Sequence, residues 1–332
     1  MKEVLCFGEA LIDFLNTGKT EQDGLTLNEF RQYPGGAPAN AAVAIAKLGG
    51  KARFAGQVGN DGFGRFLGEA LNHYGVDTQA LLCHPRAKTA LAFVTLDEEG
   101  ERSFAFYRDQ SADMVLKPEQ VSPQWFSNQP IVHFCSNTLT TSEIAESTRQ
   151  FVQLAKHQGC LVSFDVNLRH NLWPAGKADI KRVNELVLSA NLLKFSREEF
   201  EYLAGDEPQR FIKQCFQGNC RLLMITDGGK ELEYFTPDTS GIIYPPRVTT
   251  VDTTAGGDGF IGGLLFALAA EPEPQDALQT KLIELLTFAC HCGALAVTRP
   301  GAFPALAVLN EIQQALSGNE TVSSLTALRN QQ

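Results

Sequence analysis

Asp252-Thr253-Thr254-Ala255-Gly256-Gly257-Asp258-Gly259-Phe260 joins two glycines to a carboxylate immediately ahead of an apolar stretch. Phe260, Ile261, Leu264, Leu265 and Leu268 recur at helical spacing, which predicts a helix beginning near Gly257 with its apolar face turned inward. The first amides of a helix have no intrahelical partners and carry the positive end of its dipole, and glycines let an anion approach them closely. Ala255, Gly256, Gly257 and Asp258 thus supply backbone N–H groups where negative charge develops on a phosphate. As a ligand the Asp258 carboxylate would repel that anion, but it suits a base that takes the proton of an attacking hydroxyl. Together these parts point to phosphoryl transfer, although a glycine-rich turn with an N-capping Asp accounts for the same letters without chemistry.

Further groups stand where elements must end. Glu3 to Asp13 reads as one strand that stays extended beyond Gly8, and Asp13 at its end is either a cap or a ligand for hydroxyl groups. Tyr33-Pro34-Gly35-Gly36-Ala37-Pro38-Ala39-Asn40 is a loop feeding an Ala-rich helix closed by Gly49-Gly50; Gly35 and Gly36 admit a ligand to the backbone, and Asn40 offers a donor and an acceptor. From Ile131 to Thr298 strands alternate with helices: Ile131–Cys135, Leu161–Asp165, Leu192–Phe195 and Leu222–Thr226 each end at a polar cluster. That pattern predicts a parallel sheet with its ligands beyond the strand C-termini. Asn167 and Arg169, Lys194 with Ser196 and Glu199, and Thr226 with Gly228 and Gly229 stand there. A charged helix start explains Arg197-Glu198-Glu199 equally well, and a hairpin turn explains Gly228-Gly229. Earlier in the chain a helix is expected over Arg65–Tyr74, then a hairpin of Thr89–Leu96 and Arg102–Arg108 joined by the acidic turn Asp97-Glu98-Glu99-Gly100.

Composition narrows the function classes. With 332 residues, 44% of them hydrophobic, the chain suffices for one large α/β domain and a small appendage, and a net charge of −10 argues against nucleic acid and anionic membrane as partners. No apolar run reaches the length of a membrane span and the N-terminus lacks an export pattern, so a cytoplasmic location is expected. The eight cysteines are scattered through apolar runs, as reduced core residues would be. Cys290-His291-Cys292 lacks a second ligand pair at zinc spacing and reads as part of one buried helix. Gly62-x-Gly64-x-x-x-Gly68 departs from the dinucleotide-binding spacing and comes too late, and Gly18-Lys19-Thr20 lacks the glycine and the helix of a P-loop.

The run Asp252 to Asp258 resembles the C-terminal signature of the PfkB family of carbohydrate kinases, Asp-Thr-x-Gly-Ala-Gly-Asp, with Ala255 in place of the first Gly. Gly35 to Asn40 resembles its N-terminal signature Gly-Gly-x-x-x-Asn, and Val58 to Gly64 resembles Val-Gly-x-Asp-x-x-Gly. Asp165 to Arg169 resembles Asp-x-Asn-x-Arg; Ser196 to Glu199 resembles Asn-x-x-Glu with Ser for Asn; Thr226 to Glu231 resembles Thr-x-Gly-x-x-Gly with Glu for the last Gly. Phe106 to Asp113 resembles Phe-Tyr-Arg-x-x-Ser-Ala-Asp of the family's fructokinase branch. The resemblance implies a ribokinase-like three-layer α/β sandwich with a mostly parallel central sheet and a small β-sheet lid. Residues 1–13, 35–85 and 113–320 would form the core, 14–34 and 86–112 the lid, and 321–332 a polar tail.

The implied activity is transfer of the ATP γ-phosphate to a sugar hydroxyl, with Asp258 as base. Asp13, Gly35, Gly36, Asn40, Arg108, Asn137, Asn167 and Arg169 would hold the sugar. Lys194, Ser196, Thr226, Gly228, Gly229, Gly256, Gly257 and Cys290 would hold ATP, and Glu199 would hold magnesium through water. Asp252, Thr254, Ala296, Arg299, Gly301 and Ala305 would surround a monovalent cation, potassium. Fructose is the expected substrate and a homodimer through the lid the expected assembly. Two arginines beside a neutral sugar keep 2-keto-3-deoxygluconate as the runner-up, since a keto acid would pair with them directly. A nucleotide-dependent oxidoreductase and a non-catalytic sugar-binding regulator are the readings outside the class.

Overall fold

A computed structural model of the chain describes residues 1–96 and 102–317. The expected acidic turn Asp97–Gly100 and the polar tail 321–332 lie outside them. The chain starts with β1 (Glu3–Phe7), crosses into a small sheet as β2 (Leu11–Gln22) and β3 (Leu25–Gly35), and returns through α1 (Ala37–Lys47), β4 (Lys51–Gly59), α2 (Gly62–His73) and β5 (Asp77–His84). β6 (Leu91–Leu96) and β7 (Arg102–Tyr107) complete the small sheet. Strands and helices then alternate: β8 (Ile131–Cys135), α3 (Ser142–His157), β9 (Val162–Asp165), α4 (Ile180–Val187), β10 (Leu192–Ser196), α5 (Arg197–Ala204), α6 (Pro208–Gln217) and β11 (Leu222–Thr226). β12 (Leu232–Phe235) and β13 (Ser240–Ile243) follow, then α7 (Gly256–Ala270), α8 (Pro274–Thr280), α9 (Leu282–Ala296) and α10 (Leu309–Ser317).

The large sheet runs β13-β12-β11-β10-β9-β8-β1-β4-β5, parallel except for its last two strands, and the small sheet runs β3-β2-β6-β7. Alternation along β1 shows how the layers form: Val4 and Cys6 face one core with α1, α7 and α9, while Leu5 and Phe7 face the other with α3 to α6. β8 is buried on both faces, which is why its sequence is a near-continuous apolar run. The expected three-layer α/β architecture with a small appended sheet is the one found. Crossovers leave β1 and β8 in opposite directions along the sheet, so the crevice beyond their C-terminal ends is the place where a ligand meets loops from both halves.

α7 departs from the one-sided helix expected. Asp258 to Ala269 are all buried, because α7 lies between α1 and α9. A Cβ on Gly262 would stand 2.5 Å from that of Ala44, so only a residue without a side chain lets α1 and α7 approach this closely. The N-terminal strand also breaks earlier than expected. β1 stops at Phe7, and Asp13 lies inside β2, opposite Tyr33 of β3 and Ala92 of β6, rather than at a strand end. The segment expected from 14 to 34 is a long hairpin, Leu11–Gly35, turned at Asp23-Gly24 with positive φ at both residues (52° and 79°), the two-residue turn that matches strand twist. β6 starts at Leu91 instead of Thr89, because the Thr89 N–H donates to Asp61 and its hydroxyl is engaged with Asp61 and Gly59, which holds it in a turn. The same Asp61 caps α2, accepting from the Gly64 N–H at 2.9 Å, and so starts that helix at Gly62 rather than Arg65.

Candidate active site

α7 presents Asp258 in its first turn, at its third residue, and no side chain caps the helix. The N-capping reading of Asp258 therefore does not hold. Its Oδ2 accepts from Asn40 Nδ2 at 2.7 Å, and both residues are buried. Asn40 lies one turn into α1, so the close α1–α7 packing brings the two glycine-rich motifs together. Burial raises the Asp258 carboxyl from 3.8 to about 7; the Asn40 amide opposes this and nearby Asp165 adds to it. A carboxyl poised near neutrality has the proton affinity a general base needs. Of the expected anion-hole amides, that of Gly256 already reaches the Thr253 carbonyl at 3.3 Å, a long bond.

Lys194, at the third position of β10, extends to the same helix terminus: a Cβ on Gly257 would sit 3.0 Å from its Nζ. Asp165 at the end of β9 holds that ammonium with both oxygens, at 3.0 and 3.1 Å. Burial pushes the Asp165 carboxyl up while the ammonium pulls it down, and Asp165 in turn keeps Lys194 charged in spite of its burial. The bidentate contact favours the ionised pair.

A cavity of about 880 Å³ opens beside these groups. Among the expected site residues it is lined by Asn167, Arg169, Lys194, Ser196, Glu199, Thr226, Gly228, Gly229, Thr254, Gly256, Gly257, Asp258 and Cys290. Asn167 has a positive φ of 40°, and Arg169 is exposed at the rim. The turn reading of Thr226 to Glu231 holds, and this β11–β12 hairpin also forms part of the cavity wall. The charged-helix-start reading of Glu199 is likewise realised: Ser196 and Glu199 form a capping box, and the second Glu199 oxygen accepts from the Leu168 N–H at 2.8 Å. The 245–248 segment Pro245-Pro246-Arg247-Val248 also lines the cavity and was not expected. The adjacent prolines, which cannot donate to a sheet ladder, were the available signal.

The other expected residues gather at the crevice beyond β1 and β8. Asp13 is half-buried, and a Cβ on Gly35 would stand 2.0 Å from its Oδ2. Burial, then repulsion from Asp258 and Asp252, raises its carboxyl to about 7. Gly36 has φ 104°, and a Cβ there would stand 2.5 Å from the Glu9 carbonyl oxygen, so the turn into α1 requires glycine. Arg108, just past β7, is buried and donates from Nε to Asp113 at 2.6 Å and from Nη1 to the Asn137 carbonyl at 3.0 Å. Asn137 donates from Nδ2 to Glu9 at 2.8 Å. Glu9 and Asp113 were not expected; Asp113 could have been found from its spacing after Arg108, whereas Glu9 was hidden in a segment read as continuous strand. Asn40 Oδ1, Asn137 Oδ1 and Arg108 Nη2 are buried with no hydrogen-bond partner among the described residues.

The candidate cation residues form a third group. Asp252 is buried and accepts from the Thr254 N–H at 2.8 Å and the Gly301 N–H at 3.0 Å, while the Val297 carbonyl takes the N–H groups of Val251 and Asp252. The 251–254 and 297–301 segments are thereby fastened together. Arg299 pairs with Glu311, and Ala305 is buried in a short 3₁₀ turn, Phe303–Ala305. Cys290 and Cys292 lie buried in α9, and among the described residues no three His, Cys, Asp or Glu side chains form a metal-binding group. No helix among them is long and apolar enough to cross a membrane.

Known proteins resemble this chain over most of its length. A relative from Arabidopsis thaliana, "Probable fructokinase-6, chloroplastic", is 39% identical over 320 residues, covering 94% of this chain and 82% of its own. A fructokinase from Xylella fastidiosa, solved with bound ATP, superposes with a TM-score of 0.89 at 39% identity, covering 96% of this chain and 99% of its own. A fructokinase double mutant from Vibrio cholerae O395, solved with fructose, ADP and a potassium ion, gives 0.85 at 35% identity, covering 95% and 98%. The family model described as "pfkB family carbohydrate kinase" matches residues 1–307, and with both motifs meeting at Asp258 the chain belongs to that family.

Proposed function

We propose that the chain is an ATP-dependent fructokinase that converts D-fructose to fructose 6-phosphate. Membership of a carbohydrate kinase family disfavours the oxidoreductase, and the buried Asp258 at a helix N-terminus disfavours a non-catalytic regulator. The observation that carries the choice of sugar is the ion pair of Arg108. With Asp113 at 2.6 Å and Glu9 nearby, the guanidinium already has its counter-charges, so a substrate carboxylate would find no unneutralised cation there. Glu9, Asp113, Asp13 and Asp258 outnumber Arg108 and Arg169 at that end, which suits a neutral polyol and opposes 2-keto-3-deoxygluconate. The names of the relatives point the same way.

In this reading fructose lies between Asp13, Gly36, Asn40 and Asn137, and ATP fills the cavity with its γ-phosphate at the start of α7. Asp258 takes the proton of the 6-hydroxyl as its oxygen bonds to the γ-phosphorus and the bond to the bridging oxygen breaks, releasing ADP. The amides of α7 and the Lys194 ammonium stabilise the charge on the transferring group. Both Glu199 oxygens already accept backbone N–H groups, so that carboxylate suits contact with magnesium through water rather than a closed protein cage. Magnesium, when bound with ATP, neutralises phosphate charge. Both Asp252 oxygens accept backbone N–H groups, from Thr254 and Gly301, so this carboxylate would hold together the two loops whose carbonyls surround a monovalent cation such as potassium.

Exposed apolar side chains on both edges of the small sheet, Leu25 and Leu27 on β3 and Tyr107 on β7, support a homodimer through that sheet; a monomer in sedimentation equilibrium would contradict it. Eight free cysteines, seven of them buried, fit a reducing cytoplasm. The test of the activity is ADP release with a panel of sugars, with fructose 6-phosphate identified as the product; no turnover with fructose would overturn the assignment.

A further inference from the structure

Glu9 occupies the turn between β1 and β2 and is 1% exposed. Its Oε1 accepts from Asn137 Nδ2 at 2.8 Å and from the Ala37 N–H at 3.3 Å. One carboxylate therefore fastens three segments: the end of β1, the turn into α1 that carries Gly36 and Asn40, and the end of β8. These meet at the crevice between the two strands whose crossovers diverge. Arg108 and Asp113 pack on the same group of residues, with Arg108 donating to the Asn137 carbonyl.

A carboxamide has a donor end and an acceptor end, and a carboxylate accepts from only the first. Glu9 thus dictates which way the Asn137 amide faces. The remaining end, Oδ1, is buried without a partner among the described residues, and so is Nη2 of Arg108, whose Nη1 donates to the Asn137 carbonyl. Leaving such atoms unmet is unfavourable, since each has given up water without gaining a partner. A sugar hydroxyl donates and accepts, and so satisfies groups of both kinds.

We propose that Glu9 is a positioning residue: it orients the Asn137 amide so that its oxygen receives a hydroxyl of the sugar, and it acts through Asn137 without touching the substrate. The proposal rests on the sugar-kinase reading above. Without Glu9 the amide is free to turn over and present its NH₂ end, a donor, where the ligand offers a hydroxyl proton.

The test is steady-state kinetics of Glu9→Ala, Glu9→Gln, Asn137→Ala and the two double variants. Glu9→Ala should raise the KM for the sugar about tenfold, the worth of one hydrogen bond, while the KM for ATP stays within about twofold. Glu9→Gln keeps size but permits either amide orientation, so about a threefold rise is expected. Both effects should shrink to about twofold or less in the Asn137→Ala background, because Asn137 transmits most of them and the longer bond to the Ala37 N–H only a remainder. An unchanged sugar KM, a parallel rise in the ATP KM, or full effects persisting without Asn137 would each overturn the proposal, and if Glu9→Ala does not fold, Glu9→Gln decides by the same criteria. Assaying the native chain in parallel separates the two readings: failure with fructose alone sinks the substrate assignment, and the Glu9 comparison is then made on whichever sugar is phosphorylated.

Discussion

Asp258→Asn keeps the shape of the side chain and leaves an oxygen to accept from Asn40, so its effects isolate the loss of a titrating carboxylate. A general base contributes about 10²–10⁴-fold, and kcat should fall by that much. The native pH dependence follows from burial, which raises this carboxyl to about 7. The ionised fraction then climbs from about a tenth at pH 6 to about nine-tenths at pH 8, so kcat/KM should rise roughly tenfold over that interval. Asp13 is also raised to about 7, partly by Asp258, so the profile belongs to the pair, and the substitution should let Asp13 ionise at lower pH. Stability should move the other way. Between pH 4 and 7 the folded chain keeps a proton that the unfolded chain has lost, so ionising Asp258 costs stability as pH rises. At about 1.4 kcal/mol per pH unit the ceiling is about 4 kcal/mol above pH 7. Asn carries no such cost, so the variant should gain in Tm over the native chain as pH increases from 4 to 8. The assays are ADP release coupled to NADH oxidation and thermal unfolding across that range. A variant within tenfold of native turnover, or a native kcat/KM flat between pH 6 and 8, would refute Asp258 as the base.

Gly36→Ala places a Cβ 2.5 Å from the Glu9 carbonyl oxygen at a φ of 104°, and should cost about 1–3 kcal/mol in denaturant unfolding and raise the sugar KM at least tenfold; an unchanged sugar KM would remove this turn from the site. Excess EDTA should abolish turnover and magnesium should restore it, because ATP phosphates need a counter-ion that Glu199 does not hold alone; full activity in chelator would contradict this. Replacing sodium by potassium should raise turnover through the Asp252 segment, and Asp252→Ala should erase the difference; a potassium effect that survives the substitution would place the cation elsewhere.

Much of this arrangement was legible because it is local. β8, β10 and β11 are apolar runs that end in polar clusters, and the helix after Asp252 announces itself by its spacing. The hairpin at Asp23-Gly24 was not legible in the same way, because its long, polar strands mask the turn dipeptide. The Asn40–Asp258 contact spans 218 residues, and only the resemblance, not periodicity, placed its members in one site. Glu9 illustrates what sequence leaves out. Its meaning depends on Asn137, 128 residues away, through the crevice that sheet order creates. For Arg108 the sequence implies pairing with some nearby acid but not which one, until Asp113, five residues on, is seen to fold back onto it.

The central claim is the neutral sugar, and its most direct test is kcat/KM for D-fructose against 2-keto-3-deoxygluconate and ribose, measured side by side with saturating ATP. Because Asp113 already neutralises Arg108, fructose should be preferred over the acid by at least about tenfold, or ~1.4 kcal/mol. A preference of that size for 2-keto-3-deoxygluconate would contradict the account, since Arg108 or Arg169 would then be pairing with a substrate carboxylate.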